Sequence, residues 1–233
     1  MEFTLSPLSS GWTQAVLLGG WFGLLHAFDA DHIATIGGLA AANRSLTPMG
    51  YALRWALGHA AALGVIAAAV LGLGATGLVE WTSYAELLVC LALLLIGGNA
   101  LRTLVTLHRR RGAARTRAQP HLHFLTASHT HAPRSGRTGV CLGVLHGSAG
   151  SAAVLALLPL AQFRNGLESA VYLVFFSAGV AAGALAFAHV FARCFASAAA
   201  SGERLSAALR GAIGVLAIAS GAWLFIEITH GGG

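Results

Sequence analysis

The sequence predicts an all-α membrane protein of about six transmembrane helices, arranged as two inverted halves of three spans with both termini outside. Three observations predict it. The 233 residues are 56% hydrophobic and only 9% charged, with a mean hydropathy of +0.73, far from the balance of a soluble domain. The apolar runs have lengths near the ~20 residues that a helix needs to cross a bilayer. The arginines then gather on one side of the spans so defined, as the positive-inside rule requires.

Six runs qualify as spans: 12–42, 50–74, 80–106, 138–161, 167–193 and 208–229. The start, "MEFTLSPLSS", lacks the basic residues of a cleavable signal peptide, so the first run is read as a permanent span. That run is too long for one straight crossing. At ~1.5 Å per residue it would reach roughly 46 Å, against a hydrocarbon core of about 30 Å. It is therefore expected to be tilted, broken near Gly37-Gly38, or unwound around its charged cluster.

Between the third and fourth runs lies "LHRRRGAARTRAQPHLHFLTASHTHAPRSGR", residues 107–137, which belongs on the cytoplasmic side. It divides the chain into a three-span half (1–106), a basic histidine-rich loop (107–137) and a second three-span half (138–233). Arg44, Arg54, Arg193, Arg204 and Arg210 then fall inside as well, and Arg164 outside. The halves echo each other: "GLLHAFDADH" at 23–32 resembles "GVLHGSAGSA" at 143–152, and "LGHAAALG" at 57–64 more weakly resembles "AGVAAGAL" at 178–185. With three spans between the copies, the second half enters the membrane with opposite polarity, as in inverted-repeat transporters.

Composition excludes several classes of function. The chain has no lysine, so it has neither the lysine of a Walker A phosphate loop nor that of a Schiff base. Cys90, Cys141 and Cys194 lie scattered in apolar contexts, unlike a disulfide framework or a thiolate metal site. The arginines sit beside spans rather than in a soluble module, which argues for membrane orientation and against nucleic acid as a partner.

The chemistry concentrates in "LLHAFDADHIA", residues 24–34, which holds both aspartates of the chain, Asp29 and Asp31, between His26 and His32. Ionisable groups inside a span cost about 2.5–3.5 kcal/mol each on insertion scales and mark functional sites. The nearest arginine is Arg44, twelve positions beyond His32; a bound cation would balance the carboxylates instead. On a continuous helix His26, Asp29 and His32 share one stripe, while Asp31 points elsewhere and could orient an imidazole from behind. Imidazole and carboxylate without thiolate suit nickel, cobalt, zinc, manganese or iron better than copper(I).

His59 and His146 are expected at a similar depth, roughly 12–14 Å into the second and fourth spans. Ser148 and Ser151 follow His146 among small residues that let helices approach. These four are candidate pathway residues. His121, His123, His129 and His131 form two His-x-His pairs in the basic loop, a composition that binds transition metals without a rigid cage.

"HAFDADHIA" resembles the signature of the nickel/cobalt transporter family, in which a His-x4-Asp-His core lies in an early span. His26, Asp31 and His32 match that core, and Asp29 and Ala30 complete the string. "LGHAA" is similar to a later Leu-Gly-His segment of the family. "LHGSAGSA" is similar to a segment of related nickel permeases and urease-accessory membrane proteins. The chain departs from the family at Leu25, where arginine is usual, and at Ala60 to Ala62, where polar residues often follow the histidine. The resemblance implies His26, Asp31 and His32 as the selectivity core, and an unwound segment would let Asp29 join them.

The expected function is transport of Ni2+ and/or Co2+ as substrate, with no prosthetic group, in a multi-pass protein of a bacterial plasma membrane. The membrane potential supplies about 4.6 kcal/mol per 100 mV for an incoming divalent ion, which favours import over export. A nickel-binding accessory or sensor subunit, serving nickel-enzyme maturation proteins, is the alternative. An intramembrane serine protease built on Ser148 or Ser151 is less well supported, because it needs a general-base histidine at depth in a later span. The expectation is therefore of no enzyme activity.

Overall fold

The computed structural model describes residues 11–42, 47–73, 78–116, 137–149, 163 and 165–230. They form seven α-helices: α1 (Gly11–His26), α2 (Ala30–Ala42), α3 (Pro48–Leu73), α4 (Leu78–Thr116), α5 (Arg137–Ser148), α6 (Gly166–Ser201) and α7 (Glu203–His230). Among the described residues, four stretches are long and apolar enough to cross a membrane: Pro48–Val70, Tyr84–Thr106, Gly166–Ser201 and Arg204–His230.

The first expected span is two helices. After Gly23 the ladder tightens: Phe28 N–H donates to Leu25 C=O and Asp29 N–H to His26 C=O, both three residues back. A new ladder starts where Ile33 N–H donates to Asp29 C=O at 3.1 Å. Asp29 thus precedes α2 and Asp31 lies in its first turn, positions where carboxylates favour a helix start through the exposed N–H groups. The break falls on the charged cluster, while Gly37 and Gly38 lie inside α2. The helix thus breaks at the acidic residues and not at the glycines.

The other helix starts are also written locally. Pro48 opens α3, where its missing N–H costs nothing, and the Thr47 hydroxyl accepts from Gly50 N–H at 3.1 Å. The Asn165 side chain caps α6 by accepting from Glu168 N–H at 2.8 Å. Gly202, with φ +124°, joins α6 to α7 in a conformation that side-chain-bearing residues rarely adopt. α4 runs ten residues past the expected boundary at 106, to Thr116; its alanines and arginines are good helix formers outside an apolar layer. Residues 117–136, most of the expected loop, and 150–161 of the expected fourth span lie outside the described residues.

Packing pairs the helices: α1 runs along α6, α3 along α5 and α4 along α7, with α2 touching α3, α4, α6 and α7. Glycines make the first two pairs close. A side chain at Gly23 would collide with the main chain of Phe176, and one at Gly143 with the main chain of Trp55. Small residues of this kind let apolar helices approach without bulky interdigitation. Trp55, Tyr172, Phe176 and Leu63 fill the core between these pairs. Large apolar side chains such as Trp21, Val65, Leu95 and Trp223 face outward, the pattern expected where the surroundings are themselves apolar.

Candidate metal site

The break between α1 and α2 builds the centre of the molecule. His26 closes α1 and His32 lies in the first turn of α2, and the intervening turn sets their rings edge to face with centroids 4.6 Å apart. His59, from the middle of α3, stands 5.5 Å from both rings. His146, near the end of α5, stands 5.5 Å from His32. All four imidazoles are at most 4% exposed, so four helices deliver four histidines to one dry place. The sequence reading divided them into a signature cluster and a pathway; the fold brings them together.

Trp55 forms one wall, its ring 4.8 Å from His32, 5.3 Å from His59 and 5.7 Å from His146. Phe176 forms another, stacked 5.6 Å from His26. Neither aromatic was singled out by the sequence. Trp55 lies at i−4 to His59, which puts the two on one face of α3, and this was the available signal.

Nitrogens of His26, His32 and His59 lie within 4.8 Å of one another, close enough that one ion could lie among them. A second set, Asp29, Asp31 and His32, meets the same limit and shares His32 with the first. The carboxylates are the more open part: the Asp29 side chain is 41% exposed and that of Asp31 25%, against 2% for the side chains of His26 and His32. A buried nitrogen set thus adjoins a half-buried oxygen set.

The helical-wheel argument fails for Asp31, because the helix is not continuous. Asp31 Oδ2 lies 3.9 Å from His32 Nε2 and 3.8 Å from His146 Nε2. Asp29 Oδ2 lies 2.8 Å from His26 Nδ1. That contact lacks hydrogen-bond alignment, since neither nitrogen of His26 has a hydrogen-bond partner. The same holds for both nitrogens of His59, Nδ1 of His32 and Nε1 of Trp55. Buried polar atoms are satisfied in the great majority of cases, so this concentration of orphans among the described residues singles out the cluster as the candidate ligand site. Imidazole nitrogens flanked by carboxylates, with no cysteine in either set, suit a borderline divalent cation.

His146 differs from the other three. Its Nδ1 donates to Leu142 C=O at 2.8 Å, which fixes the neutral ring with its lone pair on Nε2. The hydroxyl of Thr35, fully buried on α2, lies 3.1 Å from that nitrogen and donates to it. Thr35 was missed by the sequence reading, although it stands at i+3 from His32 and i+4 from Asp31 on the same face. The Ser148 hydroxyl donates to Leu145 C=O at 3.0 Å, not to an imidazole as a nucleophile would require. Ser151, His121, His123, His129 and His131 lie outside the described residues.

An all-helical chain with several helices long and apolar enough to cross a membrane, and with imidazoles and carboxylates brought together from separate segments, defines a class: a helical protein with a buried cluster of groups that could hold a metal ion. No family model matches the chain, and no solved structure matches it. A curated relative does. The chain is similar to the urease accessory protein UreH of Bacillus sp. (strain TB-90), 26% identical over 163 residues that cover 70% of this chain and 69% of that protein. This match bears out the resemblance to the nickel permease family and its urease-accessory membrane relatives that the three histidine motifs carry.

Proposed function

We propose that the chain carries a divalent transition-metal ion, Ni2+ or Co2+, across a bacterial plasma membrane, with inward movement driven by the membrane potential. The observation that carries this reading is the buried His26–His32–His59 set, with its unpartnered nitrogens beside two aspartates. A permanently held structural metal would be better served by a closed set of four ligands. Here the carboxylates remain half exposed, as a pathway requires. The ion exchanges water for Asp29 and Asp31, and then for imidazole nitrogen.

In this reading α1 and α2 together make one broken crossing, α5 opens another, and α3, α4, α6 and α7 complete six spans with both termini outside. The inverted repeat has support in the packing: α1 rests on α6 as α5 rests on α3, and α4 on α7. Both histidine motifs end a helix the same way, with Asp29 N–H donating to His26 C=O and Ala149 N–H to His146 C=O. Sites between such repeats are reached alternately from either side. The loop histidines His121, His123, His129 and His131 would collect metal at the inner face.

A second reading is favoured by the name of the relative, a urease accessory protein: the chain binds nickel and passes it to nickel-enzyme maturation proteins. One experiment separates the two. Radioactive nickel is followed into metal-starved cells bearing the wild type or His32→Ala at matched levels, with cobalt as competitor. Accumulation by the wild type alone supports import through this site, and lowered accumulation means export. No change, with nickel retained by the purified protein, supports the accessory reading.

A further inference from the structure

Of the four central histidines, His146 alone has both ring nitrogens engaged. Nδ1 is held by Leu142 C=O within α5, and Nε2 takes the hydroxyl hydrogen of Thr35 from α2. This second bond links residues 111 positions apart and is buried, so it joins two helices rather than decorating one. A nitrogen lone pair that accepts a hydroxyl hydrogen is not available to a metal. His146 stands beside His32 and within 3.8 Å of Asp31, yet it does not belong to the three-imidazole set of His26, His32 and His59.

Resting on the metal-site reading above, we infer that Thr35 is a positioning residue that withholds the His146 imidazole from the ion. The site offers three imidazoles while the Thr35–His146 bond is made and four once it breaks. Recruitment of His146 exchanges one hydrogen bond for one metal–nitrogen bond; Nδ1–H stays on Leu142, as outer partners of metal-bound histidines commonly do. Because Thr35 rides on α2 and His146 on α5, movement of α2 against α5 breaks this bond. The number of imidazoles offered to the ion is thereby tied to the arrangement of the helices, so tight and loose binding belong to different conformations.

The test uses purified full-length protein and Co2+, whose visible absorption reports coordination number. Thr35→Val keeps the shape and removes the hydroxyl. It is expected to bind Co2+ about fivefold more tightly, the worth of one freed hydrogen bond, with stronger absorption from added imidazole coordination. Thr35→Ser is expected to restore wild-type affinity and spectrum, which a packing defect would not do. In the Thr35→Val background, His146→Ala is expected to abolish the gain. Unchanged or weaker binding by Thr35→Val, or a gain that survives His146→Ala, overturns the inference while leaving the metal site standing. Failure of the wild type to bind Co2+ or Ni2+ at all removes the metal-site reading and the inference with it.

Discussion

His26 ends one helix and His32 stands in the first turn of the next, with their rings edge to face 4.6 Å apart. On an unbroken helix six residues apart they would stand about 9 Å apart along the axis. The turn at Ala27, Phe28 and Asp29 converts that axial separation into contact. The signature thus folds two imidazoles toward one point, with Asp29 just before the second helix and Asp31 in its first turn.

Loss of His59 tests whether α3 contributes a ligand. His59→Ala is expected to weaken Ni2+ binding by more than about tenfold, or about 1.4 kcal/mol, as measured by competition with a chelator. Both nitrogens of His59 lack a hydrogen bond, so the metal-free protein should lose little thermal stability beyond the cavity cost of a removed ring.

Metal affinity should fall as the pH is lowered. Protons and the ion compete for the same lone pairs on His26, His32 and His59, and binding of the ion requires them free. Titrations of Ni2+ at a series of pH values check the sign. Affinity that rises toward acid pH would place the ion elsewhere than on these imidazoles.

The close helix pairs predict a contrast among glycines. Gly23→Val and Gly143→Val drive a side chain into the main chains of Phe176 and Trp55, and each should cost about 1–3 kcal/mol or more. Gly20→Ala and Gly64→Ala meet nothing within 4 Å and should be neutral or stabilising by up to about 1 kcal/mol, since alanine is the better helix former. Thermal unfolding in detergent ranks all four.

Glu168 is a buried carboxylate at the start of α6 whose oxygens lie where a Cβ on Gly11 would be. It thus sits against Gly11, the first residue of α1, an end of a helix that favours negative charge. Glu168→Gln should lower stability by about 0.3–1 kcal/mol, and Gly11→Ala should do so by displacing the carboxyl group. If the two act through this one contact, the double variant will lose less than the sum in a melting experiment.

The sequence made the helical class legible through hydropathy, and the site through the rarity of its residues. Two aspartates and two histidines in seven positions of an apolar run have few structural uses. Proximity was harder to see. The meeting of His59 and His146 with the signature depends on which helix packs on which, and no periodicity within one span encodes that. The sequence leaves the position of the break open between Gly37-Gly38 and the charged cluster, because glycine weakens helices in general and acidic residues favour helix starts; the backbone ladder places it at the cluster. Thr35 escaped notice because a threonine in an apolar helix is common. Only its partner on α5, 111 residues away, makes it distinctive.

The paired packing has a consequence for how the site measures motion. His26 is fixed to the α1–α6 pair, His59 and His146 to the α3–α5 pair, and His32 to α2 between them. The imidazoles therefore stand where these pairs meet, with α3 also packed along α6 and one shared core between them. With an ion held there as proposed, any slide of one pair against the other changes the bite of the ligand set, so affinity and the displacement of the helices become one variable read in two units.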